Sequence, residues 1–222
     1  MAYKTTILAT QFVTHDTKRF LLSRPSAFQW QPGQGVELVI NESPWDKEDG
    51  RPFTPTGAVA DQLLEFIIKR YADHQGVTDH LHSLGPGQEL RMSEPFGAIQ
   101  YKGPGVFIAA GAGITPFLGI FRHLAGQGEL GGNQLIYSNK SPADIICEKE
   151  LRFYFADKVL FTCTRGTFAG YLDQRVDEGF LQTHVADSGQ YFYVCGPPSF
   201  VKDVNKALAG QGVESTSLVY DE

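Results

Sequence analysis

Residues 106–116 are Val-Phe-Ile-Ala-Ala-Gly-Ala-Gly-Ile-Thr-Pro, and this stretch decides the architecture of the second half of the chain. A five-residue apolar run is followed by two glycines and then by a helical pattern over residues 115–125. An entirely apolar strand that leads into a helix is typical of a parallel sheet covered on both faces. Glycines at such a strand end let the backbone turn tightly and approach a bound phosphate. The stretch therefore predicts a ligand-binding strand end.

The same alternation continues to the end of the chain. We predict strands at residues 106–110, 134–138, 159–163, 191–195 and 217–220. Helical patterns lie between them, at residues 115–125, 146–155, 173–181 and 199–209. Strands alternating with helices indicate an α/β domain built on a parallel sheet. Residues 103–222 are predicted to form this domain.

The first 102 residues follow a different pattern. Short apolar or alternating runs at residues 18–23, 36–40 and 64–70 are separated by glycine and proline turn signals. A short helix is predicted over residues 78–84, with Thr78 as its N-cap. Short strands between turns indicate a small antiparallel barrel or sandwich. We therefore predict a two-domain chain, with a boundary between residues 102 and 103.

Composition excludes several classes of function. The chain has 222 residues, 42% hydrophobic content and a formal net charge of -6. This charge argues against a nucleic-acid partner or an anionic membrane surface, because both select basic proteins. The amino terminus has no signal-peptide core, and no apolar run is long enough to cross a bilayer, so we expect a cytoplasmic protein. The three cysteines are far apart, which predicts no metal site and no iron–sulfur cluster.

The glycine loop after the first α/β strand is a candidate dinucleotide site. Gly111 and Gly113 lie past the strand, Thr115 is a suitable N-cap, and Pro116 suits a first helical turn. Free amides at that helix start would face a diphosphate. The dinucleotide fingerprint has a third glycine where this chain has Pro116. A purely structural turn is the alternative.

A second glycine-bearing strand end strengthens this interpretation. Cys195-Gly196-Pro197-Pro198 also closes an apolar strand and opens a helix. Two such ends at one edge of a sheet would form a cleft for an extended dinucleotide. Cys195 has packing as its alternative role, since cysteine is often a small buried hydrophobe.

The choice of nucleotide depends on the loops after the second and third α/β strands. NAD-binding folds often place an acidic residue after the second strand, whereas this chain has Ser138-Asn139-Lys140 there. Lys140 and Arg165 would clamp a 2′-phosphate, which favours NADPH over NADH. The alternative is that both are ordinary surface cations.

These residues and their order resemble the ferredoxin–NADP⁺ reductase superfamily, most closely its flavodoxin-reductase-like members. The resemblance covers nearly the whole chain. It is carried by the segments Trp30–Gln34, Arg51–Thr54, Gly76–Thr78, Glu94–Gly97, Gly111–Pro116 and Cys195–Pro198. It implies an N-terminal FAD-binding antiparallel β-barrel followed by a C-terminal NAD(P)-binding α/β domain.

The resemblance also implies roles for the Arg51-Pro52-Phe53-Thr54 segment. Arg51 would pair with the FAD diphosphate, a bidentate role that suits a guanidinium. Phe53 would lie against the isoalloxazine, and the Thr54 hydroxyl would hydrogen-bond near flavin N5. The alternative from the residues alone is a solvated Arg51 and a core Phe53.

Further roles are implied elsewhere in the chain. Gly76-Val77-Thr78 would hold the rest of the diphosphate, and Lys69 would line the edge of the flavin. Thr115 and Cys195 would bracket the nicotinamide, and Tyr220 would stack on the flavin. The chain departs from the family pattern where Asp221 and Glu222 follow Tyr220 and where Gly57 replaces a frequent serine.

The function implied by the resemblance is an NAD(P)H-dependent reductase. Hydride would pass from nicotinamide C4 to flavin N5, and electrons would then pass to a separate carrier such as flavodoxin or ferredoxin. Alternative acceptors are an oxygenase component, a ferric chelate or free flavin. A non-catalytic flavin- and nucleotide-binding subunit of a larger complex is the alternative from a different class.

Overall fold

The structure is a computed structural model that describes residues 2–47, 50–72, 76–97, 99–185 and 187–220. The chain divides into two compact units. The first comprises Met1–Ala98 and Thr115–His123, and the second comprises Ile99–Ile114 and Leu124–Glu222. Each unit contains its own cluster of buried apolar side chains.

The first unit is built on a six-stranded antiparallel sheet. Its strands, in chain order, are β1 (Tyr3–Thr14), β2 (Thr17–Ser23), β3 (Val36–Ile40), β4 (Arg51–Phe53), β5 (Leu63–Lys69) and β6 (Glu89–Met92). Their order in the sheet is β4-β3-β6-β1-β2-β5, and each neighbouring pair is antiparallel. The predicted runs at residues 18–23, 36–40 and 64–70 correspond to β2, β3 and β5 within one residue.

The core of this unit follows from the period of two residues in its strands. Phe20 and Leu22 of β2 are buried, and so are Leu64, Phe66 and Ile68 of β5. The intervening positions in β2 are half-buried. Alternate side chains of a strand point to opposite faces, so these residues line one interior face.

Among the described residues, an isolated bridge links the chain just after β4 to β5, the other edge strand of the sheet. Pro55, which follows β4, forms an antiparallel bridge with Phe66 of β5. The Thr56 amide also donates to the Glu65 carbonyl at 2.8 Å. The bridge therefore connects the two ends of the strand order, just after β4 and in β5. The prediction of an antiparallel β domain is confirmed.

Helix α1 (Val77–Leu81) differs from its prediction in both cap and length. Gly76, with extended backbone angles, is the N-cap, and no side chain caps the helix. Thr78 is therefore the second helical residue, and its prediction as N-cap is wrong. An N-cap needs the extended conformation that Gly76 adopts, whereas Thr78 is already helical.

His82, at the end of α1, is buried in the neutral form. Its Nε2 lies 2.8 Å from the Ile68 carbonyl, to which it donates, and Nδ1 has no hydrogen-bond partner among the described residues. Burial, the largest cause, lowers the pKa of His82 below its ordinary value, although the Ile68 contact acts in the opposite direction. Protonation would leave a buried N–H without an acceptor.

Acidification is therefore expected to destabilise the protein through His82. The unfolded chain binds a proton near the ordinary histidine pKa of about 6.5, whereas the folded protein binds it only at lower pH. The stability that neutral His82 contributes is fully present above the pKa of the unfolded chain. It is lost as the pH falls through the lower pKa that His82 has in the folded protein. Melting temperatures at pH 7 and pH 5 would measure the loss, and His82→Gln should reduce the difference between them. An unchanged difference in the variant would contradict this assignment.

The second unit contains a five-stranded parallel sheet. Its strands are β7 (Gly105–Ala110), β8 (Gln134–Asn139), β9 (Val159–Cys163), β10 (Tyr191–Cys195) and β11 (Leu218–Tyr220). Their order is β11-β10-β7-β8-β9, with every pair parallel. The strand order therefore reverses between β7 and β10. The α/β prediction is confirmed.

Four further helices follow strands of this sheet along the chain. They are α2 (Thr115–Gln127), α3 (Glu148–Phe155), α4 (Glu178–His184) and α5 (Pro198–Gly210). Residues of α4 and α5 bury one face of β7 and β10, where Val106, Ile108, Phe192 and Val194 are inaccessible to solvent. Phe107 and Tyr193 on the opposite face stack at 4.2 Å between ring centroids. Both faces are buried, which explains the uninterrupted apolar runs.

Helix α4 begins five residues later than predicted. Leu172 forms a parallel bridge with Thr162 and exchanges backbone hydrogen bonds with β9. These bonds hold the chain in an extended conformation at Leu172, immediately before the predicted start of the helix at residue 173. Asp177 then caps the helix, because its side chain accepts from the Phe180 amide at 2.9 Å.

Within the described part of the chain, no helix combines the length and the apolar character needed to cross a bilayer.

Candidate functional site

The Arg51–Thr54 segment lies at the edge of the first unit. Arg51, Pro52 and Phe53 form β4, in which Phe53 is opposite Val36 and Arg51 is opposite Leu38. Arg51 and Pro52 are exposed, and Phe53 and Thr54 are half-buried. An edge strand with an exposed guanidinium and a partly covered aromatic ring can accept a ligand that has both an anionic and a planar part. The residues fit a flavin dinucleotide in this respect.

Gly57 follows the Arg51–Thr54 segment, at a point where the chain passes close to β5. A Cβ added at Gly57 would lie 3.3 Å from both Asp61 Oδ2 and Glu65 Cβ. Such a distance is tighter than ordinary van der Waals contact, so a larger residue would have to displace its neighbours. Local packing therefore accounts for glycine at this position.

The second group of flavin candidates lies around the end of β5 and the start of α1. The Lys69 ammonium is 2.6 Å from Asp16 Oδ2, and Arg70 Nε donates to Asp79 Oδ1 of α1 at 2.6 Å. Burial acts to raise the pKa of Asp16, but hydrogen bonds from Lys69 and two threonines outweigh it and lower the pKa. The Lys69 charge is thus already paired, which leaves its backbone groups for a ligand.

Gly76, Val77 and Thr78 form the start of α1. Gly76 and Thr78 are half-buried and Val77 is buried. The Arg70–Asp79 pair joins this helix to the end of β5. The structure therefore brings the candidates around Lys69 and those around Thr78 to one part of the first unit.

The two glycine-bearing strand ends meet at the edge of the second unit. A Cβ added at Gly113 would overlap the Cys195 carbonyl oxygen and lie 2.6 Å from its carbonyl carbon and 2.7 Å from Gly196 Cα. A Cβ at Gly196 would lie 3.0 Å from Ala110 Cβ. Gly111 has a positive φ of 53°, which favours glycine.

The position of this contact in the sheet is significant. Gly113 follows β7, and Cys195 ends β10, the two strands between which the strand order reverses. In open parallel sheets, ligands bind beyond the carboxyl ends of strands at this reversal. Only glycine allows the two backbones to approach so closely. The predicted convergence of the two motifs is therefore present within the second unit.

Helix α2 starts differently from its prediction. Residues Gly111–Ile114 form a 3-10 turn that runs directly into the helix, and Ile114 is the N-cap with helical angles. Thr115 is the first helical residue and Pro116 the second, so the prediction of Thr115 as N-cap is wrong. A side-chain cap requires an extended residue before the helix, and the turn leaves none.

Cys195 and Tyr220 lie at the same edge. Tyr220 pairs with Val194, the residue before Cys195, and 39% of Tyr220 is exposed. Cys195 is half-buried, and Pro197 beside it is exposed. Asp221 and Glu222, which follow Tyr220, lie outside the described residues.

Comparisons with known proteins match the two halves of the chain to two different family models. Residues 4–101 match the oxidoreductase FAD-binding domain family model, and residues 107–206 match the oxidoreductase NAD-binding domain family model. A ferredoxin NADP+ reductase from Neisseria gonorrhoeae, solved with bound FAD and NADP, superposes with a TM-score of 0.86 and 19% identity. The alignment covers 99% of this chain and 97% of that chain.

The chain matches an oxidoreductase FAD-binding domain model and an oxidoreductase NAD-binding domain model, and it shares the fold of the Neisseria gonorrhoeae ferredoxin NADP+ reductase. It contains an FAD-binding domain and an NAD-binding domain, as the resemblance implied. NADH-cytochrome b5 reductase 2 of Mycosarcoma maydis is 28% identical over 89% of this chain and 62% of its own length. The reductase component of propane 2-monooxygenase from Rhodococcus jostii is 24% identical over 89% of this chain and 56% of its own length. The chain thus spans less than two thirds of the length of each of these two curated relatives.

A cleft of about 780 Å³ in the NAD-binding unit lies beside the meeting point of the two glycine motifs. This volume lies within the range of about 300–1,000 Å³ that is typical of ligand sites. Strand ends and the first turn of α5 form much of its wall. The wall includes Ala110, Ser138, Thr164, Arg175, Pro197, Ser199, Phe200, Asp203 and Lys206.

The two cations that were predicted to select the nucleotide lie outside this cleft. Lys140 and Arg165 are exposed and joined by a backbone hydrogen bond of 3.0 Å, but neither lines the cleft. Arg175 and Lys206 line it instead, and sequence analysis missed both. No sequence signal distinguishes them from other surface cations, because Arg175 is in an irregular segment and Lys206 is on an exposed helical face.

Proposed function

We propose that this chain is an NAD(P)H-dependent flavoprotein reductase that passes electrons from a bound flavin to a separate acceptor. The observation that carries the proposal is the contact between Gly113 and Cys195 at the reversal of strand order, in a chain whose other unit belongs to an FAD-binding family. When bound, the nicotinamide supplies a hydride, and FAD accepts it and releases electrons singly.

In the first unit, the proposed work of the protein is to hold the flavin in one orientation. The Arg51 guanidinium would bind the diphosphate, with Pro52 giving the edge strand a fixed backbone, and Phe53 would pack against the flavin ring. The Thr54 hydroxyl would donate a hydrogen bond beside N5. Gly76, Val77 and Thr78 would supply the remaining diphosphate contacts, and Lys69 would contribute backbone groups.

In the second unit, the proposed work is to present the nicotinamide nucleotide. A phosphate would approach the backbone at Gly111, where an added Cβ would meet nothing within 4 Å, and the cleft would hold the nucleotide further along. Cys195 would contact the nicotinamide. Each group acts by orientation and by exclusion of water, which are the main requirements of a direct hydride step.

The acceptor is proposed to be a one-electron carrier protein. Flavodoxin and ferredoxin remain our candidates from the family resemblance. The name of the Rhodococcus jostii relative supports an oxygenase component as the second candidate. Anaerobic flavin reduction followed by addition of each purified carrier would distinguish them, because only the physiological class should reoxidise the flavin rapidly.

The deciding experiment is visible absorbance of the purified chain under anaerobic conditions, with FAD supplied and NADPH or NADH added. A yellow protein that bleaches supports the proposal. A protein that stays colourless after FAD is supplied contradicts it. A yellow protein that does not bleach supports a non-catalytic flavin-binding subunit instead.

Nucleotide preference can be tested by replacing the Lys140–Arg165 pair and, separately, one cation of the cleft. If Lys140 and Arg165 clamp a 2′-phosphate, as we propose, Lys140→Ala with Arg165→Ala should raise KM for NADPH by about 10- to 100-fold, the effect of losing charged hydrogen bonds. KM for NADH should change much less. Arg175→Ala is the comparison, because Arg175 lines the cleft. Equal effects of the double variant on both nucleotides would remove the case for NADPH.

A further inference from the structure

The segment that follows Phe53 and Thr54 is anchored by a cluster of partly buried charges. Arg122 Nη1 donates to the Thr56 carbonyl at 2.7 Å and to Glu65 Oε1 at 2.5 Å. The Thr56 hydroxyl donates to the same Glu65 Oε1 at 2.8 Å, and Arg19 Nε lies 3.1 Å from Glu65 Oε2. Arg122 is on the part of α2 that belongs to the first unit.

The approach of α2 to this segment depends on a glycine. A Cβ at Gly119, one helical turn before Arg122, would lie 2.9 Å from the Pro55 carbonyl oxygen. Thr56 is completely buried. Its amide, carbonyl and hydroxyl are each hydrogen-bonded, by Glu65 or Arg122. The residue two positions after Thr54 therefore has one fixed orientation.

The cost of burying these charges indicates why they matter. The Arg122 and Glu65 side chains are 13% and 15% exposed, so both are largely removed from water. A buried ion pair often contributes no more to stability than apolar residues of the same volume, because desolvation opposes the attraction. The pair instead fixes the orientation of Thr56, because an apolar side chain could not hydrogen-bond to the Thr56 carbonyl and hydroxyl.

We infer that Glu65 and Arg122 are positioning residues for the flavin-binding segment. They fix Thr56, and through it the angle at which Thr54 and Phe53 meet the flavin. Helix α2 also follows the glycine loop directly in the chain. Few residues therefore separate Gly113 of this loop from Arg122. This inference rests on the proposed function.

The test uses the full chain reconstituted with FAD. Glu65→Gln keeps the volume and removes the charge, Arg122→Met removes the hydrogen bonds to Thr56 and Glu65, and Arg122→Lys restores a cation. Glu148→Gln is the matched control, because Glu148 lies in the second unit and its side chain accepts hydrogen bonds from Arg152 and Tyr171, neither of which is a candidate site residue. FAD affinity and the visible spectrum of the bound flavin are measured first. Anaerobic flavin reduction by NADH and NADPH is then measured per bound FAD.

We expect Glu65→Gln and Arg122→Met to shift the flavin spectrum and to slow reduction by about 10- to 100-fold, the effect of a small misplacement of reacting groups. The nucleotide concentration at half-maximal rate should change by less than about threefold, because nucleotide binding is not altered. Arg122→Lys should recover part of the rate, and Glu148→Gln should match the wild type. Wild-type spectra and rates per bound FAD in both variants would overturn the inference. A wild-type protein that binds FAD but is not reduced would contradict the proposed function, and the spectra would still test the positioning role.

Discussion

Gly113→Ala is expected to slow flavin reduction by NADH or NADPH by about 100-fold or more. The added methyl would overlap the backbone of Cys195 and Gly196, and backbone cannot move aside as a flexible side chain can. Overpacking of this kind costs about 1–3 kcal/mol, and a misplacement of about 1 Å at a reacting group can cost 100-fold in rate. The chain should still bind FAD, because the proposed flavin contacts lie in the other unit.

The measurement is stopped-flow absorbance at several nucleotide concentrations, with FAD content and melting temperature determined on the same preparations. Gly126→Ala is the control, because a Cβ at this α2 position would meet nothing within 4 Å. Alanine should be neutral there or stabilising by about 0.5–1 kcal/mol. If the flavin of the Gly113→Ala variant were reduced at the wild-type rate, the strand-end contact would have no role in nucleotide binding.

Arg51→Ala is expected to abolish FAD retention while leaving the fold intact. Arg51 is exposed on an edge strand, so its loss removes no core contact. Hydrogen bonds to a charged partner contribute about 1.5–3 kcal/mol each, so loss of a bidentate contact should raise the FAD dissociation constant by about 100-fold or more. FAD per polypeptide after dialysis measures the effect, and circular dichroism checks the fold.

Arg51→Lys separates charge from geometry. Lysine keeps the positive charge but lacks the planar fork, so FAD retention should fall between that of the wild type and that of Arg51→Ala. A lysine variant equal to the wild type would indicate a simple charge effect. Unchanged flavin content in both variants would remove Arg51 from the proposed site.

Sequence patterns predicted the α/β unit better than the β unit, for a physical reason. Most strands of the parallel sheet are buried on both faces, so β10 appears as an uninterrupted apolar run and β9 as a run interrupted by Thr162, both with the predicted bounds. Strand β1 was not predicted, because only Thr5 and Ile7 among its twelve residues are buried. It is held by pairing with β2 and β6 on its two sides, which is a long-range property.

The candidate site shows the same limit. Gly113 and Gly196 could be singled out because a strand end that turns into a helix constrains its own residues locally. Glu65 and Arg122 could not, because they are 57 positions apart and meet only when α2 packs on β5. Arg175 and Lys206 share a cleft only after the sheet has formed. Pairings that depend on tertiary structure leave no periodic signal in the sequence.

The division of helix α2 between the two units affects how this protein can be recombined. Thr115–His123 lie in the second half of the chain but belong to the first unit. A chimera that joined residues 1–102 to the second half of another reductase would replace part of its own flavin-binding unit. It would inherit whichever residues the other reductase has opposite Glu65 and, at position 119, beside the Pro55 carbonyl. Successful grafts should therefore carry Gly119 and Arg122 with the N-terminal half, as a discontinuous block.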